Sequence, residues 1–147
     1  MYDSYSNQDF DPSDQYYIKA FHGRYIAAHP DGLLVTDDDD IKHHDIQWRI
    51  IPCDNNRVAL QIVKHQKYLS TEDHGTVRCF DDNVNNDSLW EMKQLENGKY
   101  AFRSCYGRWL NATGMTDDNP PETQPHLFAN KEHHHQHAQF DVIPVKQ

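Results

Sequence analysis

The sequence contains a threefold internal repeat, and this feature limits the possible folds more than any other. Three segments of alternating apolar and polar residues each end in an aromatic residue followed by an aliphatic one. The aromatic residues are Tyr25, Tyr68 and Trp109, which follow one another at spacings of 43 and 41 residues. A unit of this size cannot bury its apolar residues alone, so the three units must pack around one shared core.

The spacing of apolar residues within each unit predicts β-strands. Apolar residues recur at every second position, as at Trp48 and Ile50, and the flanking segments are rich in turn-forming residues. Asn97-Gly98 is typical of a tight hairpin turn, and Asp54-Asn55-Asn56 occupies the equivalent place one unit earlier. About four strands in each of three units predict an all-β fold of about twelve strands with threefold pseudosymmetry, which is the β-trefoil.

The length of 147 residues is that of one domain. We predict a disordered acidic tail at residues 1–15, because this segment has four aspartates and no lysine or arginine. A single β-trefoil domain then occupies residues 16–147, with repeats at about 16–57, 58–99 and 100–145. The residues predicted to form its core are Ile18, Ile26, Trp48, Leu60, Leu69, Trp90, Phe102, Leu110 and Phe140.

Composition excludes several classes of protein. Fourteen lysines and arginines against 23 aspartates and glutamates give a net charge of −9, which argues against nucleic acid as a partner. No apolar run is long enough for a transmembrane helix, and no signal peptide is visible, so we expect a cytoplasmic protein. The three cysteines Cys53, Cys79 and Cys105 lack metal-ligand spacing and are expected to be free thiols.

Three short motifs carry a family resemblance. They are Gly23-Arg24-Tyr25-Ile26, Gln66-Lys67-Tyr68-Leu69 and Gly107-Arg108-Trp109-Leu110, and the second continues through Gly75 to Val77-Arg78-Cys79. In these motifs the chain resembles the fascin-like and hisactophilin-like β-trefoils over about residues 16–145. The resemblance implies a cytoskeletal binding module that binds or crosslinks actin filaments, in a pH-dependent way and with some association with membranes. Because one fold can host unrelated functions, the resemblance is more specific for the fold than for the partner.

Basic residues recur in the three equivalent loops that precede or contain these motifs. Pseudosymmetry would arrange them around one region of the barrel, where they could contact an acidic filament or, at low pH, an anionic membrane. The alternative is that these basic residues are ordinary solvated surface charges that contact no partner. The candidate partner-binding residues are Lys19, His22, Arg24, Lys64, His65, Lys67, Arg103 and Arg108.

The chain is rich in histidine. Protonation of all eleven would change the net charge from −9 to about +2, so we expect affinity for an acidic partner to rise as the pH falls from about 7.5 to 6. His133, His135 and His137 alternate along the chain and could bind Zn²⁺, Cu²⁺ or Ni²⁺ weakly. Nothing in the sequence fixes a fourth ligand, a plain polar loop is the alternative, and no dedicated cofactor is expected.

The sequence favours a binding module over an enzyme. It contains no nucleophile elbow, phosphate-binding glycine loop or HExxH motif, so no catalytic residues are assigned. A carbohydrate-binding β-trefoil lectin is the alternative function, with glycans as partners. The Gln-x-Trp motif of ricin-type lectins is absent, because Ile46, Ser88 and Ala138 stand where its glutamine would be.

Overall fold

The protein is built almost wholly from short strands joined by tight turns. The computed structural model describes residues 4–5, 10–21, 23, 25–28, 34–37, 46–112, 127–131, 133 and 138–145. In these parts of the chain, no helix is long and apolar enough to cross a membrane. The strands are β1 (Ser4–Tyr5), β2 (Tyr16–Lys19), β3 (Tyr25–Ala28), β4 (Leu34–Asp37), β5 (Gln47–Pro52), β6 (Arg57–Ile62), β7 (Lys67–Thr71), β8 (Val77–Asp81), β9 (Leu89–Gln94), β10 (Tyr100–Arg103), β11 (Trp109–Ala112), β12 (Leu127–Lys131) and β13 (Asp141–Pro144).

Six of the strands form a closed antiparallel barrel. Strands β2, β5, β6, β9 and β10 pair in that order, and β13 returns to pair with β2. The ring closes between β10 and the start of β13, where Tyr100 and Phe140 exchange two backbone hydrogen bonds of 2.8 Å. Each barrel strand therefore has a neighbour on both sides, which removes the exposed edges of an open sheet.

The other strands form three hairpins that extend from the barrel. Strand β3 pairs with β4, β7 pairs with β8, and β11 pairs with β12. The second strands of the three hairpins, β4, β8 and β12, contact one another. The backbone N–H of Ala129 on β12 donates 2.9 Å to the carbonyl of Gly75 at the β7–β8 turn. The three hairpins thus meet, and a six-stranded barrel with three such hairpins is the β-trefoil that the sequence predicts.

The core is formed by the inward-facing residues of the strands. All nine residues predicted to form it are buried, and Trp48, Trp90, Phe102 and Phe140 are completely enclosed. Burial alternates along β2, β5 and β9, which confirms that the period of two in the sequence marks the inner face of these barrel strands. The predicted limits of the three repeats and of the single domain stay predictions.

Two of the turns between barrel strands have the conformation that their sequences predict. Gly98 in the β9–β10 turn has a φ of +86°, and Asn55 and Asn56 in the β5–β6 turn have φ values of +61° and +60°. The two turns close with matching hydrogen bonds, from Leu95 N–H to the carbonyl of Lys99 (2.8 Å) and from Cys53 N–H to the carbonyl of Arg57 (2.7 Å). Glycine and asparagine tolerate this left-handed region best, and this explains why they occupy these turns.

The N-terminal segment differs from the expected disordered tail at the residues that the structure describes. Strand β1 pairs with the end of β9, with Ser4 opposite Gln94. Phe10 is buried, and its ring lies edge-on to Tyr16 at 5.4 Å and to Tyr100 at 5.7 Å between centroids. The acidic composition predicts disorder, but it does not take account of this one aromatic side chain, which is packed against the barrel.

The three cysteines are free thiols, as the sequence predicts. Cys79 is buried on β8, whereas Cys53 and Cys105 are half-buried in turns. Burial raises the pKa of the Cys79 thiol to about 12 and also raises the pKa values of the other two thiols. The thiols are therefore protonated at neutral pH and poorly nucleophilic.

Candidate functional site

A row of charged side chains crosses the outer surface of the barrel. The register of β6, β9 and β10 places Arg57 opposite Glu91, and Glu91 opposite Arg103. Residues directly opposite on antiparallel strands have their Cβ atoms about 5 Å apart, so the three side chains are neighbours. The Nε of Arg103 donates 2.6 Å to Oε2 of Glu91, and its Nη2 contacts the same oxygen. One carboxylate thus lies between two arginines.

The row continues onto an aromatic side chain. Trp109 on β11 lies opposite Arg103, whose guanidinium carbon is 5.4 Å from the indole centroid. The Nζ of Lys93 is 6.0 Å from the same centroid. Trp109 is itself buried against Leu95, Ala101 and Ala138 in a small cluster beside the main core. Stacking on the ring fixes the Arg103 side chain and leaves its guanidinium in a defined orientation.

A cleft of about 500 Å³ opens beside this row. It lies between the β5–β6 turn and the β10–β11 turn, with β9 between them. Its lining is mainly polar and includes two guanidinium groups, one carboxylate, one amide and one hydroxyl. The lining residues are Asn55, Arg57, Glu91, Arg103, Ser104, Cys105 and Gly107.

Beside the cleft, the β10–β11 turn is joined to the β8–β9 loop. The hydroxyl of Tyr106 donates 2.9 Å to Oδ1 of Asp87, and this bond raises the pKa of Tyr106 to about 12. The Nη1 of Arg57 donates 3.4 Å to the side chain of Asn86. The Ser104 carbonyl accepts a 3.0 Å bond from Gly107 N–H, which closes the turn. The walls of the cleft are therefore held by hydrogen bonds among the β10–β11 turn, the β8–β9 loop and strand β6.

The structure places the predicted basic residues in different environments. Lys19 lies at the end of β2 with its Nζ 5.8 Å from the Tyr25 ring centroid. Lys67 forms an ion pair with Asp82, and Arg103 belongs to the row described above. The side chains of Lys64 and Arg108 are exposed on the turns that follow β6 and β10.

The three basic loops are distributed around the barrel. They follow β2, β6 and β10, and these strands alternate with β5, β9 and β13 in the ring. His65, on the second loop, is half-buried, with its Nε2 enclosed. His22 and Arg24 lie outside the described residues. Binding of a partner by these loops stays a prediction.

The predicted metal site is only partly covered by the structure. His133 is exposed in a bend after β12, whereas His135 and His137 lie outside the described residues. Among the residues that the structure does describe, no three His, Cys, Asp or Glu side chains are grouped as metal ligands. Metal binding by the histidine cluster stays a prediction.

Sequence reasoning missed Arg57 and Glu91 as members of a site. Both residues have charged equivalents in another repeat. Arg57 directly follows the β5–β6 turn, as Lys99 directly follows Asn97-Gly98. Glu91 directly follows Trp90, as Asp141 directly follows Phe140. Extending the alignment of the repeats from apolar to charged positions would have found both residues.

The closed barrel and its three hairpins place this chain among the β-trefoil proteins. The family model of the fascin domain matches residues 8–92, which is more than half of the chain. The chain therefore belongs to the fascin family, whose domains are binding modules and not enzymes. Comparison with the curated proteins gives no match.

Proposed function

We propose that this protein binds actin filaments and serves as a binding or crosslinking module of the fascin type. The observation that carries the proposal is the match of residues 8–92 to the fascin domain, a family associated with actin. The short motif around Trp109, which also resembles fascin-like proteins, lies outside the matched residues and adds support, whereas the motifs around Tyr25 and Tyr68 lie within them. The proposal requires neither a cofactor nor a catalytic residue, and it places the protein in the cytoplasm with the filaments.

We assign the main electrostatic contacts to Lys64 and Arg108. Both side chains are exposed on equivalent turns, where they can reach an acidic filament surface. Lys67 and Arg103 contribute less, because their side chains are only partly exposed. Contacts between exposed charges are screened by salt, so binding should weaken as ionic strength rises.

The proposed pH dependence follows from the net charge of the whole chain. At −9 the protein is repelled by an acidic filament, and each histidine that gains a proton reduces this repulsion. Most of this change falls between about pH 7.5 and 6, where imidazole groups titrate. The same reasoning applies to an anionic membrane surface, which is a second prediction for low pH.

The test is co-sedimentation with actin filaments at pH 6.0 and 7.5, each at low and at physiological salt. We expect pelleting that strengthens at pH 6.0 and weakens with salt. The double variant Lys64→Ala/Arg108→Ala should bind about fivefold more weakly, as expected for the loss of two exposed ionic contacts. Lys99→Ala is the matched control, because it removes a lysine from the opposite end of a barrel strand, and its binding should stay within twofold of wild type.

The outcomes separate the proposals. Equal pelleting at the two pH values would contradict the pH dependence but not actin binding. Equal binding by the double variant and by Lys99→Ala would contradict the assigned contacts. No pelleting under any condition would contradict the proposed function, and a glycan array would then test the lectin alternative.

A further inference from the structure

The row at Arg57, Glu91 and Arg103 is one of three equivalent rows, and each row crosses strands from more than one repeat. In the first row, strand pairing places Asp141, Lys19, Tyr25 and Asp37 side by side, and the Nζ of Lys99 is 3.6 Å from Oδ2 of Asp141. In the second row it places Arg49, Gln61, Tyr68 and Asp81 side by side. The third row is Arg57, Glu91, Arg103, Trp109 and Lys131.

The three rows differ in charge. In the first row two lysines are balanced by two aspartates, and in the second row Arg49 is balanced by Asp81. The third row has three basic residues and only Glu91 as an acid, because Lys131 stands where the other rows have an aspartate. At these register positions, basic residues thus outnumber acidic ones only in the third row, on a chain of net charge −9.

This row lies beside the cleft described above. The cleft of about 500 Å³ falls within the usual range for small-molecule sites, roughly 300 to 1,000 Å³. Arg57 and Arg103 supply donors that match the oxygens of an anion, and Asn55 and Ser104 add neutral polar groups. The chemistry of the lining therefore suits a small polar molecule that carries an anionic group.

The position of Glu91 distinguishes between anions. An incoming carboxylate would exchange one carboxylate for another at Arg103, with little net gain in charge interaction. A phosphate monoester carries a charge of about −1.5 to −2 at pH 7 and has three acceptor oxygens, so it can engage both arginines. We propose that this cleft binds a small hydroxylated molecule bearing a phosphate monoester, held by Arg57 and Arg103 in competition with Glu91. The proposal does not depend on actin binding.

Because the anion competes with Glu91, substitutions of Glu91 and of Arg57 should change the affinity for phosphate in opposite directions. Binding of glucose 6-phosphate and of inorganic phosphate is measured by isothermal titration calorimetry, with glucose as the uncharged control. Glu91→Gln should bind both phosphates about tenfold more tightly, because the competing charge is removed. Arg57→Gln should bind them about tenfold more weakly, because one charge-assisted contact is lost.

Lys99→Gln and Asp141→Asn are the matched controls, since they make the same changes at the equivalent positions of the first row. Both should bind the phosphates within twofold of wild type, and circular dichroism checks that every variant is folded. Absence of phosphate binding by both the wild type and Glu91→Gln would overturn the proposal. It would also be overturned if Arg57→Gln bound as tightly as the wild type, or if glucose bound as tightly as its phosphate.

Discussion

The indole Nε1 of Trp90 donates a 3.0 Å hydrogen bond to the backbone carbonyl of Leu69, and both residues are buried. This bond ties barrel strand β9 to hairpin strand β7. Trp48 makes the same bond to Ile26 in the first repeat, also at 3.0 Å. The equivalent residue of the third repeat is Phe140, whose side chain has no N–H to donate.

Replacing Trp90 with phenylalanine should lower the free energy of unfolding by about 2 to 3 kcal/mol. The substitution leaves the buried carbonyl of Leu69 without its donor, which costs about 1 to 3 kcal/mol, and it removes packed volume as well. Trp48→Phe should lose a similar amount, and urea denaturation measures both. A loss below about 0.5 kcal/mol in both variants would show that the two hydrogen bonds contribute little.

Replacing Gln66 with glycine should stabilise the protein. Its φ is +56°, at the turn position where the other repeats have Gly23 and Gly107 with φ values of +87° and +79°. A residue with a Cβ is strained in this conformation by about 1 kcal/mol, and the greater freedom of glycine in the unfolded chain offsets part of the gain. We expect Gln66→Gly to raise the free energy of unfolding by about 0.5 kcal/mol in urea denaturation.

Gly107→Gln is the reciprocal variant. A Cβ built on Gly107 meets no other atom within 4 Å, so the cost there is backbone strain alone. This variant should lower the free energy of unfolding by roughly 1 kcal/mol. If both variants shifted stability in the same direction, the left-handed conformation would not be the cause.

Phe10→Ala tests whether the N-terminal segment belongs to the folded structure. The ring packs edge-on against Tyr16 and Tyr100, so its loss should lower the free energy of unfolding by roughly 3 kcal/mol. Phe80→Ala is the matched control, because Phe80 is 51% exposed and its loss should change stability by less than about 0.5 kcal/mol. Equal stability of the two variants in urea would mean that Phe10 does not anchor the segment.

The Tyr106 hydroxyl should lose its proton at a higher pH than that of an ordinary tyrosine. Its hydrogen bond to Asp87 raises the pKa to about 12 from the ordinary value of 10.0. Because the folded-state pKa is above the unfolded one, the stabilising effect is complete below pH 10 and is lost as the pH rises from 10 through about 12.

Ultraviolet titration of tyrosinate absorbance measures this shift. The difference between wild type and Tyr106→Phe should be a single group titrating near pH 12. In Asp87→Ala, which removes the acceptor, Tyr106 should titrate closer to pH 10. A difference curve centred at pH 10 in the wild type would exclude the effect of the hydrogen bond.

The barrel and its core could be predicted from the sequence because their signals are local. Period-two burial at residues such as Trp48 and Ile50, and the turn at Asn97-Gly98, depend on neighbouring residues alone. The threefold repeat in the sequence then predicts how the strands group, since three copies of one unit must pack in equivalent ways.

The candidate site could not be predicted in the same way, because it depends on the register between strands. Arg57, Glu91 and Arg103 are far apart in the sequence and become neighbours only when β6, β9 and β10 pair. Partner binding by Lys67 stays a prediction, and the spacing of residues does not show that the β7–β8 hairpin places Asp82 beside it. The spacing of residues along the chain therefore does not show which charged residues pair between strands.

The pairing of β13 with β2 joins residues 141–144 to residues 16–19. During synthesis, β2 leaves the ribosome more than a hundred residues before its partner, and until then one of its edges is exposed. Closure of the barrel therefore requires that residues 141–144 have been synthesised. A nascent or truncated chain that lacks β13 presents unpaired strand edges on both β2 and β10, and such edges are templates for aggregation.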